Sequence, residues 1–172
     1  KRLRGKFDRV LVDAPCTGTG TLRRNPDLKW RLSPEELSRI NGLQHSILEE
    51  AAKLVKAGGR VVYATCSMLF EENQAVVEDF LAKHPDFEQL SATEVLAKQG
   101  ITIPAWVSER FGANFVMLPH LSDTDGFFGA VLQKKLPQKA EPAKPETPTA
   151  VAAETTEVEN PTPAAEADKT SA

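Results

Sequence analysis

The sequence predicts an α/β fold: parallel strands joined by a helical crossover, closed by an antiparallel hairpin and followed by a disordered tail. Three observations predict it. The runs Phe7-Asp8-Arg9-Val10-Leu11-Val12 and Arg60-Val61-Val62-Tyr63-Ala64-Thr65 are short, rich in β-branched residues and end in turn-formers. The stretch between them repeats its apolar residues at helical spacing, and parallel neighbours need such a crossover. From Pro137 to Ala172 the composition shifts to Pro, Ala, Glu and Thr without an aromatic residue.

Residues 7–12 form the first strand, and Thr17 to Asn25 form a Gly-rich loop. Ser33 is placed as an N-cap, Pro34 at the first helical position and Glu36 to complete a capping box. Ile40, Leu43, Ile47, Leu48, Ala51, Leu54 and Val55 then recur at helical spacing, and Gly58 stops the helix. Residues 60–65 make the second strand. A second helix runs from Glu71 to Lys83, with Ala75, Val76, Phe80 and Leu81 facing in and His84-Pro85 ending it. Phe87 to Leu90 is a short strand, and Ser91 to Gly112 is irregular or weakly helical. Phe115 to Leu118 and Phe127 to Leu132 pair as a hairpin around Ser122-Asp123-Thr124-Asp125-Gly126. No internal repeat is found.

The chain has 172 residues and a net charge of -3, but its two ends differ. Residues 137–172 hold six prolines, seven acidic residues and three lysines. Such a segment buries too little apolar surface to offset its chain entropy, so it is expected to be disordered. Its net charge of -4 leaves residues 1–136 at +1. Basic residues cluster at Lys1 to Lys6 and again at Arg23, Arg24, Lys29 and Arg31. Such a cluster suits a phosphate backbone or is an ordinary solvated face. No stretch approaches the roughly 18 apolar residues of a membrane span, and no apolar h-region follows the basic start. The chain lacks an initiating Met and enters a strand at once, so a fragment of a longer protein is expected. Two cysteines without metal-type spacing speak against a zinc site or a disulfide framework. They fit a reducing cytoplasm, although a Cys16–Cys66 disulfide stays open.

The two cysteines carry the chemistry. Asp13-Ala14-Pro15-Cys16 sets a carboxylate, a rigid proline and a thiol at one strand end. Thr65-Cys66-Ser67 ends the other strand. Ligands of open parallel sheets bind outside the carboxyl ends of the strands, so two thiols at that edge read as a pair working on one substrate. The bland reading of either alone is a small buried hydrophobe. Gly18 and Gly20 let the loop approach a ligand closely. Gly18-Thr19-Gly20 lacks both a dinucleotide fingerprint and a phosphate-loop lysine.

The runs DAPCTGTGTLRRNPDLKW, QHSILEEAAKLVKAGGRVVYATCS, NQAVVEDFLAKHPDFE and DTDGFFGAVLQK resemble the carboxyl half of the Sun-type (Fmu) RNA cytosine-5 methyltransferases. The likeness covers about residues 3–134. It implies the carboxyl-terminal half of a Rossmann-like class I methyltransferase domain over residues 1–136. It also implies that Cys66 is the nucleophile, that Cys16 assists product release and that Asp13 helps hold S-adenosylmethionine. Asp125 to Phe128 match the family's Asp-Gly-Phe-Phe segment. The family's Gly-rich cofactor turn and the acidic residue after its second strand lie upstream of this chain, so the isolated chain is expected to be inactive. Ribosomal RNA is the substrate the family implies, and a monomer without membrane or metal is expected.

That chemistry needs these parts. A thiolate adding to carbon 6 of cytosine activates carbon 5 toward an electrophilic methyl group, which is covalent catalysis. The attacking thiol must lose its proton, and Arg23 or Arg24 is a candidate to favour the thiolate. A paired base is out of reach, so an unpaired or flipped cytosine is required. Among other residues, His45 reads as a structural histidine and His84 as a helix-end device, while His120 is the histidine placed near the site. Trp30 reads as packing in preference to a base-stacking platform. At least one of Phe127 and Phe128 belongs to the core. Two other functions compete. An amino-group methyltransferase carries an aromatic residue where Cys16 stands. A noncatalytic RNA-binding or scaffolding protein with a methyltransferase fold has no use for both thiols in a full-length parent, and for this chain that reading stays open.

Overall fold

β1 spans Phe7–Asp13, one residue beyond the predicted strand. The computed structural model describes residues 2–137, so the predicted tail lies outside the described residues apart from Pro137. α1 (Pro34–Ala52) is capped by Ser33, whose hydroxyl accepts from the Glu36 N–H at 3.2 Å. The reciprocal half of the capping box does not form, because Arg39 takes the Glu36 carboxylate at 2.7 and 2.9 Å.

The helix stops at Ala52 and not at Gly58. Leu54 and Val55 fit helical spacing, but β2 (Val55–Thr65) starts there and Val55 pairs with Phe7. Gly58, at φ 75°, lies where the register jumps from Phe7↔Val55 to Arg9↔Arg60, so it serves a bulge and not a helix end. The predicted second helix is also divided. Phe70–Glu72 form a 3₁₀ turn and α2 covers Gln74–Lys83, separated by a non-helical Asn73. β3 (Phe87–Leu90) matches its prediction. The region read as irregular or weakly helical holds α3 (Ala92–Ala97) and α4 (Ala105–Phe111). β4 (Phe115–Met117), a single helical turn α5 (Pro119–Ser122) and β5 (Phe127–Lys134) make the antiparallel hairpin.

The sheet order is β1-β2-β5-β3, with β4 also on β5. β1 and β2 are parallel, and β5 runs antiparallel to its neighbours. Alternation along the strands sends Val61 and Tyr63 of β2 and Phe128, Ala130 and Leu132 of β5 to one face, where Leu48 of α1 and Val76 and Phe80 of α2 cover them. Each such Leu or Phe contributes about 2–3 kcal/mol by leaving water. The other face is covered only in part by α3. There Leu11, Val62, Phe115, Phe127 and Val131 line an apolar trough with Val95 and Leu96, and Leu11 is 69% exposed.

Candidate active site

Strand pairing delivers the two thiols to one edge. The Ala14 N–H donates to Ala64 O at 2.9 Å, which extends the ladder past β1 until Pro15, lacking an N–H, ends it. Cys16 follows Pro15, and Cys66 follows the last residue of β2. Their sulfurs lie 3.4 Å apart as two free, half-buried thiols, so the pair is not a disulfide here. Burial, then the hydrogen bond and the charge of Cys66, push the Cys16 thiol from 9.0 to about 12. Cys16 therefore keeps its proton near neutral pH and can donate it to the Cys66 sulfur.

The surroundings of the pair are knitted by residues that the sequence reading did not single out. Glu72 is fully buried. One carboxylate oxygen accepts from the Thr17 N–H at 2.8 Å and from Gln44 Nε2 at 3.1 Å. The other accepts from the Thr17 hydroxyl at 2.5 Å and from the Ser67 hydroxyl. Gln44 Nε2 also donates to Pro15 O at 2.9 Å, and the Tyr63 hydroxyl donates to Glu72 O at 2.7 Å. Asn73 holds the second loop: it accepts from the Thr65 hydroxyl at 2.5 Å and donates to Ser67 O at 2.9 Å. One signal could have found Glu72. It stands four and eight residues before Val76 and Phe80, so helical spacing puts a carboxylate on the buried stripe.

The hairpin closes on the same place. The Gly20 N–H donates to Cys66 O at 2.9 Å, and the Gly126 N–H donates to Gly20 O at 2.8 Å. A side chain at Gly20 would stand 2.7 Å from Cys66 O. The close approach expected of Gly20 is thus to the backbone of Cys66 and Gly126 and not to a ligand. Gly18 adopts φ 74°, which lets the loop turn. A cleft of about 290 Å³ opens on Cys16, with Leu28, Leu32 and Ile40 as apolar wall and Asn25, Arg31 and Glu36 as polar rim.

The remaining predicted residues divide. Asp13 is exposed at the end of β1, and its carboxylate makes no hydrogen bond or ion pair among the described residues. Arg23 binds Asp123 at 3.0 Å and Arg24 pairs with Asp125, so neither contacts Cys66. The predicted cationic partner of that thiol is not met. His120 is exposed and makes no hydrogen bond to either thiol. His45 faces Asp79 at 3.2 Å between α1 and α2, and His84 binds Glu49 at 2.7 Å while stacking on Phe80. Both are structural, as expected. Phe128 is core and Phe127 is partly exposed. Trp30 overturns its packing assignment: it is 82% exposed, with Lys29 Nζ 4.9 Å from the ring centre. The 3₁₀ turn Pro26–Trp30 holds no buried residue against which it could pack.

Comparison with known proteins shows what the chain is similar to. Residues 1–133 match the family model described as 16S rRNA methyltransferase RsmB/F. The chain is 44% identical over 131 residues to a probable ribosomal RNA small subunit methyltransferase B of Bacillus subtilis, covering 76% of this chain and 28% of that one. The chain thus spans little more than a quarter of that curated relative. The crystal structure of PH0851 superposes with a TM-score of 0.66 at 38% identity, over 76% of this chain and 27% of that one. The structure of NSun6 from Pyrococcus horikoshii with SFG gives 0.57 at 28% identity, over 72% and 29%.

Proposed function

The chain belongs to the 16S rRNA methyltransferase RsmB/F family, and from that membership we propose that it carries the thiol chemistry of an S-adenosylmethionine-dependent cytosine-5 methyltransferase acting on ribosomal RNA. The observation that carries the reading is the 3.4 Å contact between Cys16 and Cys66. Two thiols meeting at one strand edge, one held protonated, divide the work that a covalent mechanism needs.

Cys66 is the nucleophile: its thiolate bonds to carbon 6 of an unpaired or flipped cytosine, and the electrons of the 5,6 double bond move to carbon 5. Cys16 donates a hydrogen bond to the attacking sulfur. It then assists release: carbon 5 gives its proton to solvent water, the electrons of that bond restore the 5,6 double bond, the sulfur–carbon bond breaks, and the Cys16 thiol donates to the departing Cys66 sulfur. Bound S-adenosylmethionine supplies the electrophilic methyl group for carbon 5. The residues present fit one side of that cofactor, since Asp13 is an unengaged acceptor at the strand end and suits a donor group. A neighbour solved with SFG, an S-adenosylmethionine analogue, supports the cofactor class. We assign the Gly-rich cofactor turn to sequence outside this chain, and the open flank of β1 suits continuation of the sheet. Lys29, Arg31 and the exposed Trp30 beside the cleft suit an RNA backbone and an unstacked base.

The test uses two substitutions in the full-length protein. Cys66→Ala removes the nucleophile, so turnover and any covalent protein–RNA species should both vanish. Cys16→Ala leaves attack intact and slows release, so a covalent adduct should accumulate and survive denaturing electrophoresis. An adduct trapped by Cys66→Ala would reverse the roles. Two active variants, each destabilised by the small cavity of Cys→Ala, would make both cysteines structural and end the proposal.

A further inference from the structure

We propose that Glu72 is a positioning residue, a buried carboxylate that clamps the Cys16 and Cys66 loops so that the two sulfurs stay in contact; this rests on the functional reading above. Glu72 touches neither sulfur. It acts on the residue that follows each one. Both the N–H and the hydroxyl of Thr17 end on its carboxylate, and so does the hydroxyl of Ser67. Gln44 fixes the near side of Cys16 through Pro15 O and steadies Glu72 with the same nitrogen. Cys16 is thereby held on both flanks by one network, and Cys66 is tied into it through Ser67.

The chemistry of the carboxylate suits this task. Its two oxygens accept four hydrogen bonds, from Thr17 N, Gln44 Nε2 and two hydroxyls. An ionised carboxylate is the side chain that only accepts, with about four lone-pair positions. Buried networks of this kind are stiff when every member is satisfied. No cation neutralises Glu72 among the described salt bridges. Its two oxygens are bonded to donors of the two loops it joins, so separating the loops would leave buried polar atoms unpaired. Two groups that act in turn on one base must hold their separation closely, since small misplacements cost large factors in rate.

The test reads sulfur geometry without requiring methyl transfer. Diamide oxidises two thiols to one disulfide: the thiols give up two protons and two electrons, and the N=N bond of the reagent becomes HN–NH. The closure rate of the Cys16–Cys66 pair is measured in wild type, Glu72→Ala, Glu72→Asp and Glu72→Gln, alongside alkylation of the same thiols by iodoacetamide. Glu72→Ala should close at least tenfold more slowly with no fall in alkylation. Glu72→Gln should stay within threefold of wild type. Its carbonyl still accepts from Thr17 N and Gln44, and its amide can donate to hydroxyls that rotate to receive it. If Glu72→Ala does not fold, Glu72→Asp decides, because a side chain one methylene shorter cannot span both loops and should also close tenfold more slowly. Closure at the wild-type rate in the folded Ala or Asp variant overturns the proposal. Closure and alkylation slowed by the same factor overturn it too, since that marks burial of the thiols and not loss of register. Methyl transfer is followed in parallel. A full-length wild type that never methylates RNA would end the functional reading while leaving the clamp result intact.

Discussion

β1 serves two regions of opposite character. At its carboxyl end, Val12 and Ala14 are 5% exposed and the chain runs into the thiol loops, where backbone and side chains are bonded across three segments. Just before Val12, Leu11 stands 69% exposed on the other face of the strand and lines an apolar trough. The carboxyl end of the strand is finished by this chain, and the face that carries Leu11 is an unsatisfied apolar surface. The lesson is that the thiol geometry and the openness of the sheet are separable. The bonds that set the sulfur contact all come from residues 14–20, 44, 63–73 and 126, and none comes from the flank of β1.

The largest expected effect breaks the finished end. Gly126→Ala would place its methyl 2.8 Å from Gly20 Cα and against Met68 Sδ. The Met side chain can yield, but the backbone of Gly20 cannot without losing its bond to Cys66 O. Overpacking of this kind costs about 3 kcal/mol, and it should also raise the reactivity of the thiols to iodoacetamide. Denaturant unfolding together with alkylation rates checks it. A Gly126→Ala protein with wild-type stability and wild-type thiol rates would show that the hairpin only rests on the site.

These two regions were not equally legible in the sequence. Strand ends are marked by β-branched runs and by Pro15, so the meeting of Cys16 and Cys66 could be reasoned before any coordinates. The hairpin followed from the turn residues around Asp123 to Gly126. What escaped are features decided by tertiary partners. Leu54 and Val55 satisfy a helix and a strand equally, and the pairing of Val55 with Phe7 decides between them. Spacing could have put Glu72 on a buried stripe, but its role is set by donors 5, 28 and 55 residues away that only the fold brings round it. Trp30 failed in the other direction, because an aromatic ring just before a helix reads as packing unless the turn that carries it is known to be exposed.

A middle-sized effect sharpens the contrast on the face that carries Leu11. In this chain Leu11→Thr should change stability by no more than about 0.5 kcal/mol, since an exposed side chain is exchanged for another strand-former. If a protein extended upstream covers the sheet face that carries Leu11, the same change there should cost about 2 kcal/mol or more, the loss expected of a buried Leu. Equal effects in the two contexts would mean that this face stays open.

The smallest effect separates the regions by pH. The Cys16 thiol is pushed from 9.0 to about 12, first by burial and then by its hydrogen bond to Cys66. Above pH 9 the unfolded chain therefore gives up a proton that the folded chain keeps. Stability falls wherever the unfolded state binds fewer protons, so unfolding under reducing conditions should become easier between pH 9 and 12. Tyr63, also shifted upward, mainly by burial, adds to the decline above pH 10. The Cys16 share is thus cleanest between pH 9 and 10. There Cys16→Ala should flatten the slope, while Leu11→Thr on the open face should leave it as in wild type. Partial exposure of Cys16 screens the effect and keeps it below the other two. A slope that survives Cys16→Ala unchanged would place the alkaline sensitivity elsewhere and remove the evidence that this thiol holds its proton for the release step.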